Sequence, residues 1–458
     1  MGSGSTDWLA LAGTLGAILA LLVLVLRLRL PAFLALIAVS LGFGVLSGLP
    51  PSAVISAVRS GVGGTLGFVA VVVGLGAMMG ALLEASGGVD AIARTLLARF
   101  GERRAPAALS LIGFLVSIPV FFDVALIILL PVLIGLSQRT GRPIIAFALP
   151  LLAGLAVTHA FVPPTPGPIA VAEILGAELG WVALFGVAAG LPAALVGGPL
   201  LARGLAGHTG FAAASEALLA REAGAAPREA AAPAPFGAAL LVILLPIALI
   251  VTATGARAML GSATETPLLG VLLFFGHPFT ALLAACLLAW WTLGVRRGVP
   301  REALRDAMTR ALEPAGLVVL VTGAGGAFKQ VLIESGAGAA LAGSLLGAGV
   351  PLLAFGFLSA GVVRLAQGSA TVAMVTGAGL AAPLAEAADP SAPSLALLVV
   401  AIASGASLTS HVNDSGFWLV SRYLGLTEGQ TLRSWTVCTT LIGLTGFAVA
   451  ALLSLVVP

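Results

Sequence analysis

Two distant stretches of this chain resemble one another: Leu152-Ala153-Gly154-Leu155-Ala156-Val157-Thr158-His159 and Ser404-Gly405-Ala406-Ser407-Leu408-Thr409-Ser410-His411. The match widens to Gly74, Gly76, Leu83, Ser86 and Gly87, which recur as Gly323, Gly325, Leu332, Ser335 and Gly336, 249 positions later (323 − 74). The chain therefore reads as a duplication, and each copy runs into residues that break a helix or carry charge. Repeats interrupted at corresponding positions are the strongest sequence pointer to a transporter's binding site.

Hydrophobic residues make up 59% of the 458, charged residues 9%, and the mean hydropathy is +1.13. That composition excludes a soluble globular domain and predicts an all-α polytopic membrane protein. Apolar runs long enough to cross about 30 Å of hydrocarbon lie near 7 to 26, 31 to 48, 61 to 83, 144 to 175, 181 to 201, 236 to 254, 268 to 293, 315 to 335, 395 to 421 and 435 to 457, about ten spans. Two further stretches, 106 to 136 and 351 to 384, carry breakers near their middles and are predicted to be re-entrant hairpins. Basic residues flank the first at both ends (Arg103, Arg104, Arg139, Arg142), placing both ends in the cytoplasm; Glu334, Glu386 and Asp389 flank the second, which suits entry from outside. Of the 22 basic residues, only Arg59, Arg257, Lys329 and Arg364 then fall away from cytoplasmic ends. Both termini are expected outside, and the repeats become antiparallel. The expected domains are a first inverted repeat over 6–204, a cytoplasmic linker over 205–235, rich in Ala and Pro, and a second inverted repeat over 236–458.

The net charge of +3 has no basic stripe with interleaved aromatics behind it, so no nucleic-acid partner is expected. Cys286 and Cys438 lie within spans and read as core packing; no metal site and no cofactor are expected. The opening Met1-Gly2-Ser3-Gly4-Ser5 reads as an expression scar, with no cleavable signal peptide. Lys329, the only lysine, is expected to snorkel to an outer helix end.

Chemistry concentrates at four places. The first hairpin carries Ser117-Ile118-Pro119-Val120-Phe121-Phe122-Asp123, and a charge such as Asp123 at that depth costs about 2.5–3.5 kcal/mol, which marks it as functional unless it only caps a helix. After Thr158 and His159 come Pro163, Pro164, Pro166 and Pro168, which no continuous helix tolerates; the unwound backbone leaves carbonyls and a new helix N-terminus near Gly167. The second hairpin has Arg364-Leu365-Ala366-Gln367-Gly368-Ser369-Ala370-Thr371, where small residues let a ligand approach the backbone and Arg364 either meets a carboxylate or snorkels outward. Ser410-His411-Val412-Asn413-Asp414-Ser415 packs five hydrogen-bonding side chains into six membrane residues, the most specific signal of the four.

At these residues, and in Gln430-Thr431-Leu432-Arg433-Ser434-Trp435, the chain resembles the gluconate permease (GntP-type) family of proton symporters within the ion transporter superfamily. The resemblance covers nearly the whole chain. Members usually carry Glu where this chain has Asp123, and His where it has Thr165. It implies proton-coupled uptake of gluconate or a related small sugar acid across a bacterial inner membrane, by elevator-type alternating access in a homodimer. The expected substrate site joins Ser117, Thr158, Thr165 and Gly167 to Arg364, Gly368, Ser369, Thr371, Ser410 and Asn413, with the proton on Asp123, His159, His411 or Asp414, the two carboxylates favoured. Two other classes compete. An intramembrane hydrolase with a metal on His159, His411 and Asp414 lacks a His-Glu-x-x-His pair; a passive anion channel would show no dependence on a proton gradient.

Overall fold

The computed structural model describes residues 23–223, 234–260, 266–336, 350–412 and 414–457, with scattered positions between 13 and 21. Every regular element among them is helical. Nine helices among the described residues are long and apolar enough to cross a membrane, and four shorter apolar ones accompany them. The chain is a multi-pass α-helical membrane protein.

The helices that build the site are α1 (Pro51–Ala85), α2 (Ala105–Val116), α3 (Phe122–Thr140), α4 (Ile145–Phe161), α5 (Pro166–Leu175) and α6 (Leu179–Leu195) in the first half. Their counterparts in the second half are α7 (Leu312–Glu334), α8 (Leu352–Gln367), α9 (Ala370–Ala388), α10 (Ala392–Ala406), α11 (Ser415–Leu424) and α12 (Val437–Leu453). The duplication read from the sequence recurs in the elements: both ends of α11 lie 249 positions beyond those of α5 (415 − 166 and 424 − 175). Both stretches expected as hairpins are helix, break, helix. The second arm of each, α3 and α9, is 19 residues, which at 1.5 Å per residue is itself about the thickness of the hydrocarbon.

Glycine sets the closest crossings. α2 lies along α4, and a Cβ on Gly113 or Gly154 would collide with backbone of the other helix. In the second half α8 lies along α10, with Gly405 pressed onto the Phe357 carbonyl. Small residues at such points let two backbones approach and gain dispersion contact where lipid offers no hydrophobic contrast. The long helices α1 and α7 pack on one another through Gly61, Thr65 and Gly326, forming a wall beside the hairpins and broken helices.

Two expectations change. The run 268 to 293 is two helices, Pro267–Gly276 and Pro278–Ala289, parted at His277, because Pro278 cannot continue the preceding helix. The linker 205–235 contains a helix, Thr209–Ala223, that buries Phe211 and Leu218, and its Ser215 hydroxyl accepts a hydrogen bond from the Ile144 amide at 2.6 Å. Lys329 Nζ donates to the Ile174 carbonyl at 2.5 Å, placing a cation at the C-terminal end of α5.

Candidate functional site

The two hairpin tips and the second helix break meet around a cavity of about 510 Å³, within the range of small-molecule sites, about 300–1,000 Å³. Three helix N-termini open onto it: α3 through Phe121, Phe122 and Asp123, α9 through Ser369, Ala370 and Thr371, and α11 through Asp414, Ser415 and Gly416. Each brings orphan backbone amides and the positive end of a helix dipole, so their convergence favours an anion.

The tips are closed differently. At the second, Gly368 takes φ +87°, a left-handed conformation that glycine reaches without strain, and Ser369 then caps α9 by accepting from the Val372 amide at 3.4 Å. At the first, Phe121 occupies the cap position of α3 and no side chain caps it. Asp123 sits in the first turn of that uncapped helix, exposed to the cavity and stabilised by the dipole.

The second break is a saturated polar network. Arg364 Nη2 meets Asp414 Oδ2 at 2.5 Å, with side chains only 5% and 12% exposed. Arg364 Nε also donates to the Leu408 carbonyl at 3.3 Å. Ser410 Oγ donates to Asp414 Oδ2 and accepts from Trp435 Nε1 at 2.7 Å. The Gly416 amide donates to Asp414 Oδ1 at 3.0 Å, which caps α11. Arg364 therefore does not snorkel; the buried carboxylate holds it in place.

Of the residues singled out in the sequence, Asp123, His159, Arg364, Gly368, Ser369, Thr371 and Asp414 line this cavity. Ser410 does not: its hydroxyl is occupied by Asp414 and Trp435, and its amide donates to Thr439 Oγ1 at 3.0 Å. His411 turns away to the Leu365 carbonyl, 2.9 Å from Nε2. Thr165 bends back onto the Val162 carbonyl at 2.6 Å, covering the frayed end of α4 instead of facing a ligand. Gly167 faces Met374 of α9. Thr158 is fully buried beside the cavity with an unpartnered hydroxyl, and Ser117 is buried at the first tip. Asn413 lies outside the described residues.

The cavity also contains residues to which no role was given from sequence. Phe121, Phe122 and Trp435 form an aromatic wall, with the Phe122 and Trp435 ring centroids 5.4 Å apart. Two lining residues hold buried polar atoms without a hydrogen-bond partner, His159 Nδ1 and Gln367 Oε1. The signal for Gln367 was present, since it directly precedes the tip glycine; Trp435 lies some 20 residues beyond the break (435 − 414) and nothing local ties it to the site.

The model for GntP family permeases matches residues 9–456. The "Low-affinity gluconate transporter" of Escherichia coli (strain K12) is 40% identical over 433 residues, 94% of this chain and 95% of that protein. The "Gluconate permease" of Pseudomonas aeruginosa PAO1 is 36% identical over 454 residues, 99% of each. Among solved structures, the Alcanivorax borkumensis YdaH transporter, described as having an unusual topology, superposes with a TM-score of 0.65 at 18% identity, covering 92% of this chain and 98% of that one; the likeness is one of fold. With the helical architecture and the matched family model covering almost its full length, the chain belongs to the GntP permease family, whose members are transporters and not enzymes.

Proposed function

We propose that the protein is a secondary active transporter for gluconate or a related small sugar acid, driven by protons, with its substrate held in the cavity between the hairpin tips. The observation that carries this reading is the convergence of three helix N-termini and Arg364 on one cavity. The amide ends attract a carboxylate, while Ser369, Thr371, Ser415 and the unpartnered His159 and Gln367 atoms supply polar groups for a hydroxylated chain. The aromatic wall gives the carbon skeleton an apolar face. The two relatives, a gluconate transporter and a gluconate permease, point to the same substrate class.

Proton coupling falls to a titratable group at or beside the site, Asp123, His159, His411 or Asp414. The matching element boundaries support an inverted repeat, and the α1–α7 wall beside the hairpin-bearing helices suits elevator-type alternating access within a homodimer in the bacterial inner membrane, both termini outside. Uptake of labelled gluconate into proteoliposomes under an imposed inward pH gradient tests the whole reading. Accumulation that collapses with a protonophore, and that other hexonates but not sorbitol inhibit, is the expected result; accumulation indifferent to the gradient rejects coupling, and none at all rejects the substrate.

A further inference from the structure

We infer that the Arg364–Asp414 ion pair is the coupling switch: the substrate carboxylate takes over the Arg364 guanidinium, and Asp414, left without its cation, takes up the proton that travels with the substrate. This inference rests on the sugar-acid reading above and deepens it.

The argument is one of charge balance in a dry place. Arg364 is the only Lys or Arg among the described residues lining the cavity, and it is already paired. An anionic substrate bound there brings a second carboxylate to a single guanidinium. Both cannot remain charged so close together in a low-dielectric site, so one takes a proton. If the substrate's carboxylate took it, the acid would forgo the one cation in the cavity and the pull of the helix ends. If Asp414 takes it, both of its oxygens keep a hydrogen-bond partner. Oδ1 keeps the Gly416 amide, and the Ser410 hydroxyl, which now donates to Oδ2, is free to turn and accept the new O–H. The carboxyl therefore stays in place while its charge disappears. The proton comes from the water through which the substrate arrives. It leaves when the substrate departs on the other side and Arg364 closes back onto Asp414.

The surroundings do not offer a competing partner for the pair. The other Asp, Glu and His side chains lining the cavity among the described residues are Asp123 from α3 and His159 from α4, and His411 is held at Nε2 by the Leu365 carbonyl. The other charged side chains described on elements packed against α8 and α11, namely Arg27, Arg139, Glu216, Glu386, Glu428 and Arg433, are all exposed. Asp123 has no cation to lose, so substrate binding gives it no comparable reason to change protonation.

Calorimetry of gluconate binding to the purified protein, at neutral to mildly alkaline pH in two buffers of different protonation enthalpy, counts the protons taken up. The expected result is about one proton per gluconate, with affinity falling about tenfold per pH unit as the medium becomes alkaline. Asp414→Asn, which preserves a capping oxygen, is expected to bind gluconate with no proton uptake and a flat pH profile. Glu216→Gln, an exposed carboxylate outside the cavity, is expected to keep both the uptake and the slope. The switch is overturned if wild-type protein binds gluconate without taking up a proton, or if Asp414→Asn binds and still takes one up. Wild-type protein that does not bind gluconate at all instead removes the sugar-acid reading itself.

Discussion

The two hairpin tips occupy matching places in the two halves and are closed in opposite ways. The second is closed: Gly368 turns the chain, Ser369 caps α9, and Arg364 is buried against Asp414 of the neighbouring break. Its two arms, α8 and α9, also pack along one another, whereas α3 packs on α4 and leaves α2 to pair with α4. The first tip is open, with phenylalanine at the cap position and an exposed aspartate in the first turn. The contrast teaches a division of labour. The second half holds charge in a fixed, satisfied network that an arriving anion must break into, and the first half presents an apolar wall and free amides that bind without first being disconnected.

The strongest way to break this contrast is to remove the second tip's cation. Arg364→Gln leaves Asp414 buried without its partner, and unfolding in detergent should show a loss of about 3–5 kcal/mol. Adding Asp414→Asn to that variant should recover part of it; a double variant no more stable than the single one would mean that the pair is not what closes the tip. Next come the crossings that both halves share. Gly154→Ala and Gly405→Ala each drive a methyl into a neighbouring backbone and should cost about 1–3 kcal/mol apiece. A much smaller cost at only one of them would show that the halves also differ in how tightly their helices cross. Ser369→Ala removes the cap that the first tip never had, an expected loss of about 0.5–2 kcal/mol. The smallest effect belongs to Asp123→Asn, an exposed and unpaired position, where stability should stay within about 0.5 kcal/mol of wild type. A large change there would mean that the first tip hides a network of its own.

Much of this architecture was legible in the chain. Helix breaks at Pro163 to Pro168 and around His411 follow from proline and clustered polar residues, and the duplication forecast that they would sit at matching positions. The seven cavity residues anticipated all come from hairpin tips or breaks, where a local signal exists. What could not be read was which polar groups are already spent. Ser410 and Asp414 are near neighbours in one motif, yet one is consumed by an indole and a carboxylate while the other faces the cavity. That distinction depends on Trp435, Thr439 and Arg364 arriving from elsewhere in the chain.

Trp435 gives the molecule an optical reporter of its own. Its ring borders the cavity against Phe122, and its indole N–H is tethered to Ser410, one hydrogen bond from the Asp414 carboxylate. A change of charge or partner at Asp414 alters the electric field across that indole, and indole emission responds to such fields. Gluconate should therefore shift the intrinsic fluorescence of the purified protein. Trp435→Phe should silence most of that shift, although five other tryptophans remain in the chain (six less one). No dye or label would be needed to follow the site as it fills and empties.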